Sequence, residues 1–477
     1  MRAYLLNPPS PKPMIREGRC QSPGNMRKTS IPQLSLAYIA TSLRAQGSSP
    51  RLLDAVAEGA DLAAVLADIR EWGSQAVWMN TTTPTIDNDL AVATALKGAL
   101  PQVRIILFGA HVTAVHRELL EQSPQVDAVI RGEPEPASAE CAGAIDSGKD
   151  FRGIAGLTYR CDGEVVVEHD RKLERELARL GWPARDLLPN HLYVHPVANK
   201  RYTTVNVGRG CPQRCIFCVA PVYYGKPIRV RPVDDVLDEI EQDVIGRHGI
   251  DHCWFYADDL TANKKFLGAL CEGILSRGLD IHWWGNTRAD VQDAELYKLM
   301  GRSGCMMLSI GAESASEEVL RRARKNIVPD DIRITVEQLR EARILSLAYF
   351  LIGLPGETRE TIRETVRFAK KVRPDFVEFY PATPYPGTEF GEIAEREGLI
   401  VNRDLSQYEC GGTQFVVQVP GMTPQELQKA LHWAYRSFYL SPRAIPSLLR
   451  RFRTPSGLMS LARFGLGYFK RLRTRVG

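Results

Sequence analysis

The sequence predicts an α/β protein with two successive blocks of alternating strands and helices. In both blocks, short apolar runs alternate with longer segments that have the apolar spacing of helices, as is typical of parallel sheets. Residues 386–477 show mainly helical spacing and end in a basic segment. We therefore predict a doubly wound sheet, then a partial barrel, then a mainly helical C-terminal region.

The first block, residues 1–145, contains the apolar runs AYLLNPP, RLLDAVA, AVWMNTT, VRIILFGA and DAVIRG, with helix-like segments at 35–46, 61–72 and 86–98. This alternation predicts a Rossmann-like parallel sheet, whose ligands bind at the carboxyl ends of the strands. We expect those ends to form one crevice. They are Asn7, Asp54, Thr81, Thr82, Thr83, Gly109, Ala110, His111, Arg131, Gly132 and Glu133.

Residues 146–200 predict a linker, because turn residues recur there, with a small hairpin at LTYRCDGEVVVEH. The second block, residues 201–385, has six predicted strands that begin near residues 203, 252, 281, 306, 344 and 376. Their spacing is typical of βα repeats, and it predicts a partial (β/α)6 barrel with its active site at the C-terminal strand ends.

The formal net charge of +5 is unevenly distributed, because residues 440–477 contain nine Lys or Arg and no Asp or Glu. A uniformly basic nucleic-acid-binding surface is therefore not supported, and we expect no nucleic-acid partner. The chain has no long uncharged apolar stretch, and its N-terminal residues lack the pattern of a signal peptide. We predict a cytoplasmic protein.

Three of the ten cysteines, Cys211, Cys215 and Cys218, lie in the loop GRGCPQRCIFCVAP after the first predicted barrel strand. Thiolates ligate iron–sulfur clusters, and so short a loop can present three of them to one cubane, which leaves one iron open. The alternatives are a zinc site or unligated cysteines. Zinc usually needs four ligands, and no second Cys/His pair with suitable spacing follows.

The motif CxxxCxxC, with Phe217 before its last cysteine and a strand directly before it, resembles the signature of the radical S-adenosylmethionine (SAM) superfamily. The resemblance implies a [4Fe–4S] cluster on the three cysteines and SAM on the fourth iron. It also implies SAM contacts from Glu313 and Ser314 in GAES, and contacts to adenine from the stretch GLPGET, which contains Gly353 and Gly356.

Further candidates lie at neighbouring strand ends. Asp258, Asp259 and Arg288 point into the same barrel mouth and are expected to contact SAM or substrate; the alternatives are helix capping and a surface ion pair. Cys410, in YECGGT, is a weaker candidate for a catalytic residue. The other cysteines are more typical of packing residues.

A doubly wound domain ahead of such a barrel resembles the cobalamin-binding class of this superfamily, over about the first 385 residues. In the cobalamin motif D-x-H-x-x-G the histidine ligates cobalt, but here Val56 stands at that position and cannot ligate a metal. The resemblance implies base-off cobalamin without a histidine ligand, held by residues 81–83, 109–113 and 131–135. The alternative is a degenerate sheet that binds nothing.

His111 and His116 are candidates for a replacement cobalt ligand. A lone histidine near a strand end, however, more often makes an ordinary hydrogen bond.

Together, the resemblances imply transfer of a methyl group from cobalamin to an unactivated carbon, or less often phosphorus, of a small-molecule or lipid-like substrate, with a deoxyadenosyl radical abstracting the substrate hydrogen. One alternative is a radical oxidation, cyclisation or rearrangement of a hydrophobic substrate, as in the anaerobic porphyrin ring cyclase. Another is a non-catalytic cofactor-binding sensor. A methylthiotransferase would need more N-terminal cluster cysteines than Cys20 alone.

The resemblance also implies an electron donor such as flavodoxin or ferredoxin. The basic tail, residues 440–477, interleaves its cations with Leu, Ile, Phe and Tyr. Such a composition can contact an anionic membrane face or an acidic partner, and the alternative is a solvated helix that covers the barrel.

Overall fold

The computed structural model describes residues 1–12, 14–17, 31–195 and 198–441. Within them, a seven-stranded sheet is followed by a six-stranded sheet, which confirms the predicted α/β architecture of two successive blocks. Cys20 and the basic tail after Ser441 lie outside the described residues.

The first sheet has the strand order β2-β1-β3-β4-β5-β6-β7. Its strands are β1 Arg2–Asn7, β2 Ser49–Asp54, β3 Ala76–Asn80, β4 Arg104–Phe108, β5 Ala128–Ile130, β6 Leu157–Cys161 and β7 Glu164–Val167. β1 to β5 pair in parallel. The predicted hairpin forms β6 and β7, and it extends the sheet antiparallel beside β5.

Seven helices accompany this sheet in the described residues. They are α1 Leu34–Ala45, α2 Ala55–Glu58, α3 Leu62–Trp72, α4 Ile86–Ala99, α5 Ala110–Ala114, α6 His116–Gln122 and α7 Glu135–Asp146. β3 is buried along its whole length, because helices cover both faces of the sheet and favour continuous apolar runs. The chain leaves β1 towards β2 on one side and returns to β3 on the other, and such a switch point is where doubly wound sheets bind ligands.

The second sheet has the order β15-β14-β13-β12-β11-β8, with every pair parallel. Its strands are β8 Tyr202–Asn206, β11 His252–Tyr256, β12 His282–Arg288, β13 Cys305–Glu313, β14 Leu345–Ile352 and β15 Phe376–Pro381. A small antiparallel pair, β9 Gly208–Arg209 and β10 Arg229–Val230, follows β8. β8 and β15 are the two edges, so the barrel is partial, as predicted.

Seven helices of the second block accompany this sheet in the described residues. They are α8 Ala220–Tyr223, α9 Val233–Asp238 with its π-helical continuation Glu239–Arg247, α10 Lys264–Ser276, α11 Ala294–Arg302, α12 Glu317–Arg322, α13 Pro329–Glu341 and α14 Arg359–Val372. The C-terminal region adds α15 Glu389–Arg396 and α16 Pro424–Tyr439. None of the helices in the described ranges is long and apolar enough to cross a membrane.

The predicted linker, residues 146–200, packs against both sheets. The backbone N–H of Ala184 donates to Ala37 O of α1 at 3.1 Å. Arg185, which is fully buried, donates to Thr204 O of β8 at 2.8 Å and forms ion pairs with Glu239 and Asp243 at 2.5 and 3.0 Å. This segment therefore anchors the first block to the barrel; the domain boundaries themselves stay predictions.

Replacing Arg185 by Met should lower the free energy of unfolding by about 3–5 kcal/mol, because two buried carboxylates lose their shared cation. The measurement is a urea titration followed by circular dichroism. Arg179→Met is the matched control: Arg179 is 67 % exposed in its ion pair with Glu176, and the change should stay within about 0.5 kcal/mol. Equal effects of the two substitutions would contradict the anchoring role.

Candidate active site

The three clustered cysteines lie on a tightly held loop between β9 and α8. The N–H of Cys218 donates to Cys215 O at 3.2 Å, and the N–H of Cys211 donates to Gly225 O at 3.3 Å. Gly210 has a φ of +86°, and a Cβ there would lie 2.1 Å from Pro227 O, so only glycine fits before the first cysteine. Cys211 is buried, whereas Cys215 and Cys218 are half-buried.

The donor set of the loop is three thiols. Thiolates are the ligands that iron–sulfur clusters use, and the three thiols of a cubane each bind a different iron. Within the described part of the chain, no group of three or more His, Cys, Asp or Glu side chains is arranged to hold a single metal ion. The chemistry of the loop fits a [4Fe–4S] cluster.

Charged side chains surround the cysteine loop. Burial raises the pKa of the Cys215 thiol, and the nearby Lys325 ammonium opposes this shift. Lys325 donates to the Glu313 carboxylate at 2.8 Å. Arg288 donates to both carboxylate oxygens of Asp290 at 2.9 and 2.8 Å, and to Lys325 O at 3.2 Å. The predicted residues Glu313 and Arg288 are thus brought together beside the cysteines, with Lys325 between them; the sequence analysis missed Lys325.

Asp258 and Asp259 lie at the end of β11, as predicted. Asp258 Oδ2 accepts the N–H of Gly210 at 2.9 Å, which ties this strand end to the cysteine loop. Burial raises the pKa of Asp259, an effect that Arg288 opposes, and its Oδ2 is buried without a hydrogen-bond partner in the described residues. Neither residue caps the next helix, because Asn263 caps α10. Asp259 Oδ2 is therefore a buried acceptor at the barrel mouth, whereas Asp258 holds the backbone of the cysteine loop.

The remaining predicted residues of the barrel lie around the same mouth. Ser314 is buried; its Oγ accepts the N–H of Ser316 at 3.1 Å and lies 3.3 Å from Thr365 Oγ1. Gly353 packs against Phe415, and Gly356 lies beneath the side chain of Arg322. Phe217 packs on an apolar cluster that also contains Tyr385.

Cys410 is half-buried. Burial is the main cause that raises the pKa of Tyr385, and the nearby Cys410 thiol adds to it, so these two residues are neighbours. Tyr385 belongs to the apolar cluster against which Phe217 packs.

The crevice of the first sheet is lined by the predicted threonines. Gly109 has a φ of +131°, and a Cβ there would lie 2.2 Å from Thr81 O, so the chain after β4 passes directly over Thr81. Thr81 Oγ1 is buried without a partner among the residues that the structure describes. Thr82 and Thr85 hydroxyls bond to each other at 3.0 Å. The buried Thr81 hydroxyl has no hydrogen-bond partner within the described ranges and lies beside a close backbone approach that only glycine permits. Such a group is typical of a site where a bound ligand supplies the missing partner.

Two predicted residues of this crevice are engaged within the protein. Asp54 accepts from Asn7 Nδ2 at 2.6 Å, from the N–H of Ala57 at 3.0 Å and from the hydroxyl of Tyr193 at 2.9 Å. It therefore caps α2, where Val56 lies, and connects the crevice to the linker. His111 Nδ1 lies 3.1 Å from Thr83 Oγ1, which is an ordinary hydrogen bond of a buried histidine. Burial lowers the pKa of His111 to about 4.

His116, the second histidine candidate, is held elsewhere. Its Nδ1 lies 2.9 Å from Thr158 Oγ1 on β6. Burial is also the main cause that lowers its pKa.

Buried ion pairs join the two strand-end regions. Arg209, which lies two residues before the first clustered cysteine, donates to Glu135 at 2.6 and 3.2 Å. Arg229 donates to Glu133 at 2.6 and 3.0 Å. Arg209 also lies over the rings of Tyr38 and Tyr224, at 5.5 and 5.4 Å from their centroids. Neither arginine was predicted from the sequence. The only signal was the acidic stretch RGEPE, together with separate basic residues near the cysteines.

The crevice and the cysteine loop are consequently adjacent. Helix α5, which carries His111, contacts α8, which follows the cysteine loop. Gly387 lies between them, and a Cβ there would be 2.8 Å from Ala114 and 3.3 Å from Val222. Gly132, after β5, approaches Tyr223 O of α8. The strand ends of the two sheets therefore face each other.

Comparison with known proteins identifies the family of each of the two domains. Residues 205–369 match the Radical SAM superfamily model, and residues 25–142 match the B12 binding domain model. The chain is 31 % identical over 417 residues to an uncharacterized methyltransferase of Pyrococcus horikoshii, an alignment that covers 87 % of this chain and 90 % of that one.

Two further relatives differ in reaction. The anaerobic magnesium-protoporphyrin IX monomethyl ester cyclase of Cereibacter sphaeroides is 28 % identical, with 86 % of this chain and 67 % of that one covered. The hopanoid C-3 methylase of Methylococcus capsulatus is 26 % identical, with 82 % and 73 % covered. The fold resembles that of the radical SAM methyltransferase TsrM from Kitasatospora setae, with a TM-score of 0.71, 18 % identity, and 93 % and 89 % covered.

The buried His111 predicts an acid-dependent loss of stability. The pKa of His111 falls from 6.5 to about 4 on folding. Its contribution to the free energy of unfolding is therefore complete above pH 6.5 and is lost as the pH falls towards 4. In His111→Gln, the free energy of unfolding should fall less between pH 7 and pH 5 than in the parent, as measured by urea titration. His169→Gln, at an exposed position, is the control and should behave like the parent.

Proposed function

The chain belongs to the radical SAM superfamily and carries a B12-binding domain, and we propose that it methylates an unactivated carbon of a small-molecule or lipid-like substrate. Its cofactors are a [4Fe–4S] cluster, SAM and cobalamin. When bound, the cluster and SAM supply a hydrogen-abstracting radical, and cobalamin supplies a methyl group. The observation that carries the proposal is the contact between α5 and α8, which sets the two cofactor regions side by side.

The proposed cluster ligands are Cys211, Cys215 and Cys218. Two features support them: the short loop and the fixed backbone at Gly210. Three cysteine ligands leave one iron of the cluster open for SAM, as the chemistry requires.

The proposed SAM contacts use the charges around the loop. SAM has both a carboxylate and an amino group, so it suits a site of mixed charge. We propose that the carboxylate of SAM lies beside Arg288 and Lys325. The amino group and ribose hydroxyls of SAM then lie beside Glu313, Asp259 and Asp258. Support comes from the buried, unpartnered Oδ2 of Asp259 and from the position of Lys325 between Glu313 and Arg288.

Other residues complete the proposed SAM site by packing and by backbone groups. Ser314 supplies a buried hydroxyl beside Glu313, and Gly353 and Gly356 supply the turn after β14. Phe217 supplies an apolar surface between the second and third cysteines.

The proposed cobalamin site is the crevice of the first sheet. Thr81, Thr82 and Thr83 supply hydroxyl groups, and Gly109 and Gly132 permit the close approach of backbone. Asp54, His111 and Glu133 shape the crevice through their contacts within the protein. Since Val56 cannot ligate and His111 bonds to Thr83, we propose that cobalamin is held base-off, without a protein ligand to cobalt.

A radical cyclisation or rearrangement is the second candidate function. The observation that favours it is the long alignment with the anaerobic cyclase, over 86 % of this chain. Both reactions need the cysteine loop, but only methyl transfer consumes a methyl group. We also propose that the enzyme is cytoplasmic and takes its electrons from a donor such as flavodoxin or ferredoxin.

Replacing Cys211, Cys215 and Cys218 together by Ala should remove the visible iron–sulfur absorbance and the reductive cleavage of SAM, because the cluster loses all its protein ligands. The measurement is iron content together with 5′-deoxyadenosine formation under anaerobic conditions. Cys161→Ala, at a half-buried cysteine away from the loop, is the control and should retain both. A triple variant that still cleaves SAM would refute the cluster assignment.

Omitting cobalamin tests methyl transfer separately from radical formation. Enzyme reconstituted with the cluster alone should still release 5′-deoxyadenosine from SAM, but it should give no methylated product, since the methyl donor is missing. Added methylcobalamin should restore the product, as followed by mass spectrometry. Methylated product without any cobalamin would contradict the proposed use of the first domain.

A further inference from the structure

Helix α16 presents an outward face that the function described so far does not use. Four residues of the helix and the residue that follows it are exposed, and their spacing of three or four places them on one side of the helix. They are Gln425, Lys429, Trp433, Arg436 and Leu440. The opposite face is buried, where Tyr439 donates its hydroxyl to Val377 O of the edge strand β15 at 2.7 Å.

This face combines apolar exposure with positive charge. The chain has seven tryptophans, all within the described ranges, and Trp433 is the only exposed one, at 43 %. Leu440 is 53 % exposed on the same side. Together with Lys429, His432 and Arg436 they line a surface cavity of about 640 Å³.

The charges on and around the face are of one sign. Lys429 and Arg436 are exposed, and Lys370 of α14 reaches the helix by donating to Ser437 Oγ at 2.6 Å. Burial lowers the pKa of His432, which disfavours its charged form. Glu426, at the start of the helix, is already paired with Arg359. The face is therefore cationic.

The positive charge restricts what can cover this face. The 36 residues after Ser441 contain nine Lys or Arg and no Asp or Glu, so repulsion between like charges disfavours the chain's own tail. A second copy placed symmetrically would bring the same cations together. The partner that fits this face therefore carries negative charge beside an apolar layer.

We propose that the outward face of α16 docks on an anionic lipid bilayer. Tryptophan suits the membrane interface because its ring is apolar and its N–H is polar, and lysine and arginine bind the anionic headgroups beside it. The alternation of Leu, Ile, Phe and Tyr with cations in the tail has the same chemistry. Since α16 packs on the edge strand β15, docking sets the β15 side of the partial barrel beside the bilayer.

The test is flotation of the full chain with phosphatidylcholine vesicles, with and without phosphatidylglycerol. The parent should bind only the anionic vesicles, and less as salt is raised. Lys429→Glu with Arg436→Glu, and separately Trp433→Ser with Leu440→Ser, should each lower the apparent partition coefficient at least tenfold. Lys265→Glu with Lys298→Glu, exposed lysines of α10 and α11, is the matched control and should bind like the parent.

All these variants should form 5′-deoxyadenosine from SAM like the parent, because the face lies outside the proposed cofactor sites; this shows that they are folded. Three results would overturn the proposal. They are equal binding to neutral and anionic vesicles, unchanged binding of the two α16 variants, and binding to polyglutamate or an oligonucleotide without binding to anionic vesicles.

Discussion

The two buried ion pairs between the sheets are the constraint on which the active site depends. Glu133 and Glu135 follow β5 of the first sheet, whereas Arg209 and Arg229 belong to the small strand pair that frames the cysteine loop. Breaking such a pair would leave a charge buried without its partner, which is strongly unfavourable. The pairs therefore fix the crevice of one domain against the cysteine loop of the other.

The first domain is a mainly parallel sheet with an antiparallel hairpin at one edge, and the second is a parallel sheet. In both, the proposed ligand residues lie near the carboxyl ends of the parallel strands. What distinguishes this chain is that those ends face each other, with α5 against α8 and Gly387 between them. A radical can be transferred productively only over a short distance and in the absence of water. The facing arrangement gives a physical reason for joining a B12-binding domain to a radical SAM barrel in one chain.

Much of this fold could be predicted because runs of apolar residues mark the buried strands of both sheets. All six predicted barrel strands begin within one residue of the observed starts, and the three cysteines stand out by spacing alone. Pairing between distant charges could not be predicted in the same way. Arg185 and Arg209 lie outside any periodic segment, and their carboxylate partners are 58 and 74 residues away. Only the packing of the two sheets makes them partners, so the linker looked like a connection rather than an anchor.

The central claim is that the facing strand ends bring a methyl donor and a radical source to one substrate. The most direct test is to incubate the anaerobically reconstituted enzyme with SAM that has a deuterated methyl group, a reductant and candidate substrates. Methyl transfer predicts a product that carries the label, with equal amounts of 5′-deoxyadenosine and S-adenosylhomocysteine, since one SAM supplies the radical and another the methyl group. An unlabelled product, accompanied by 5′-deoxyadenosine without matching S-adenosylhomocysteine, would contradict methyl transfer and favour cyclisation or rearrangement.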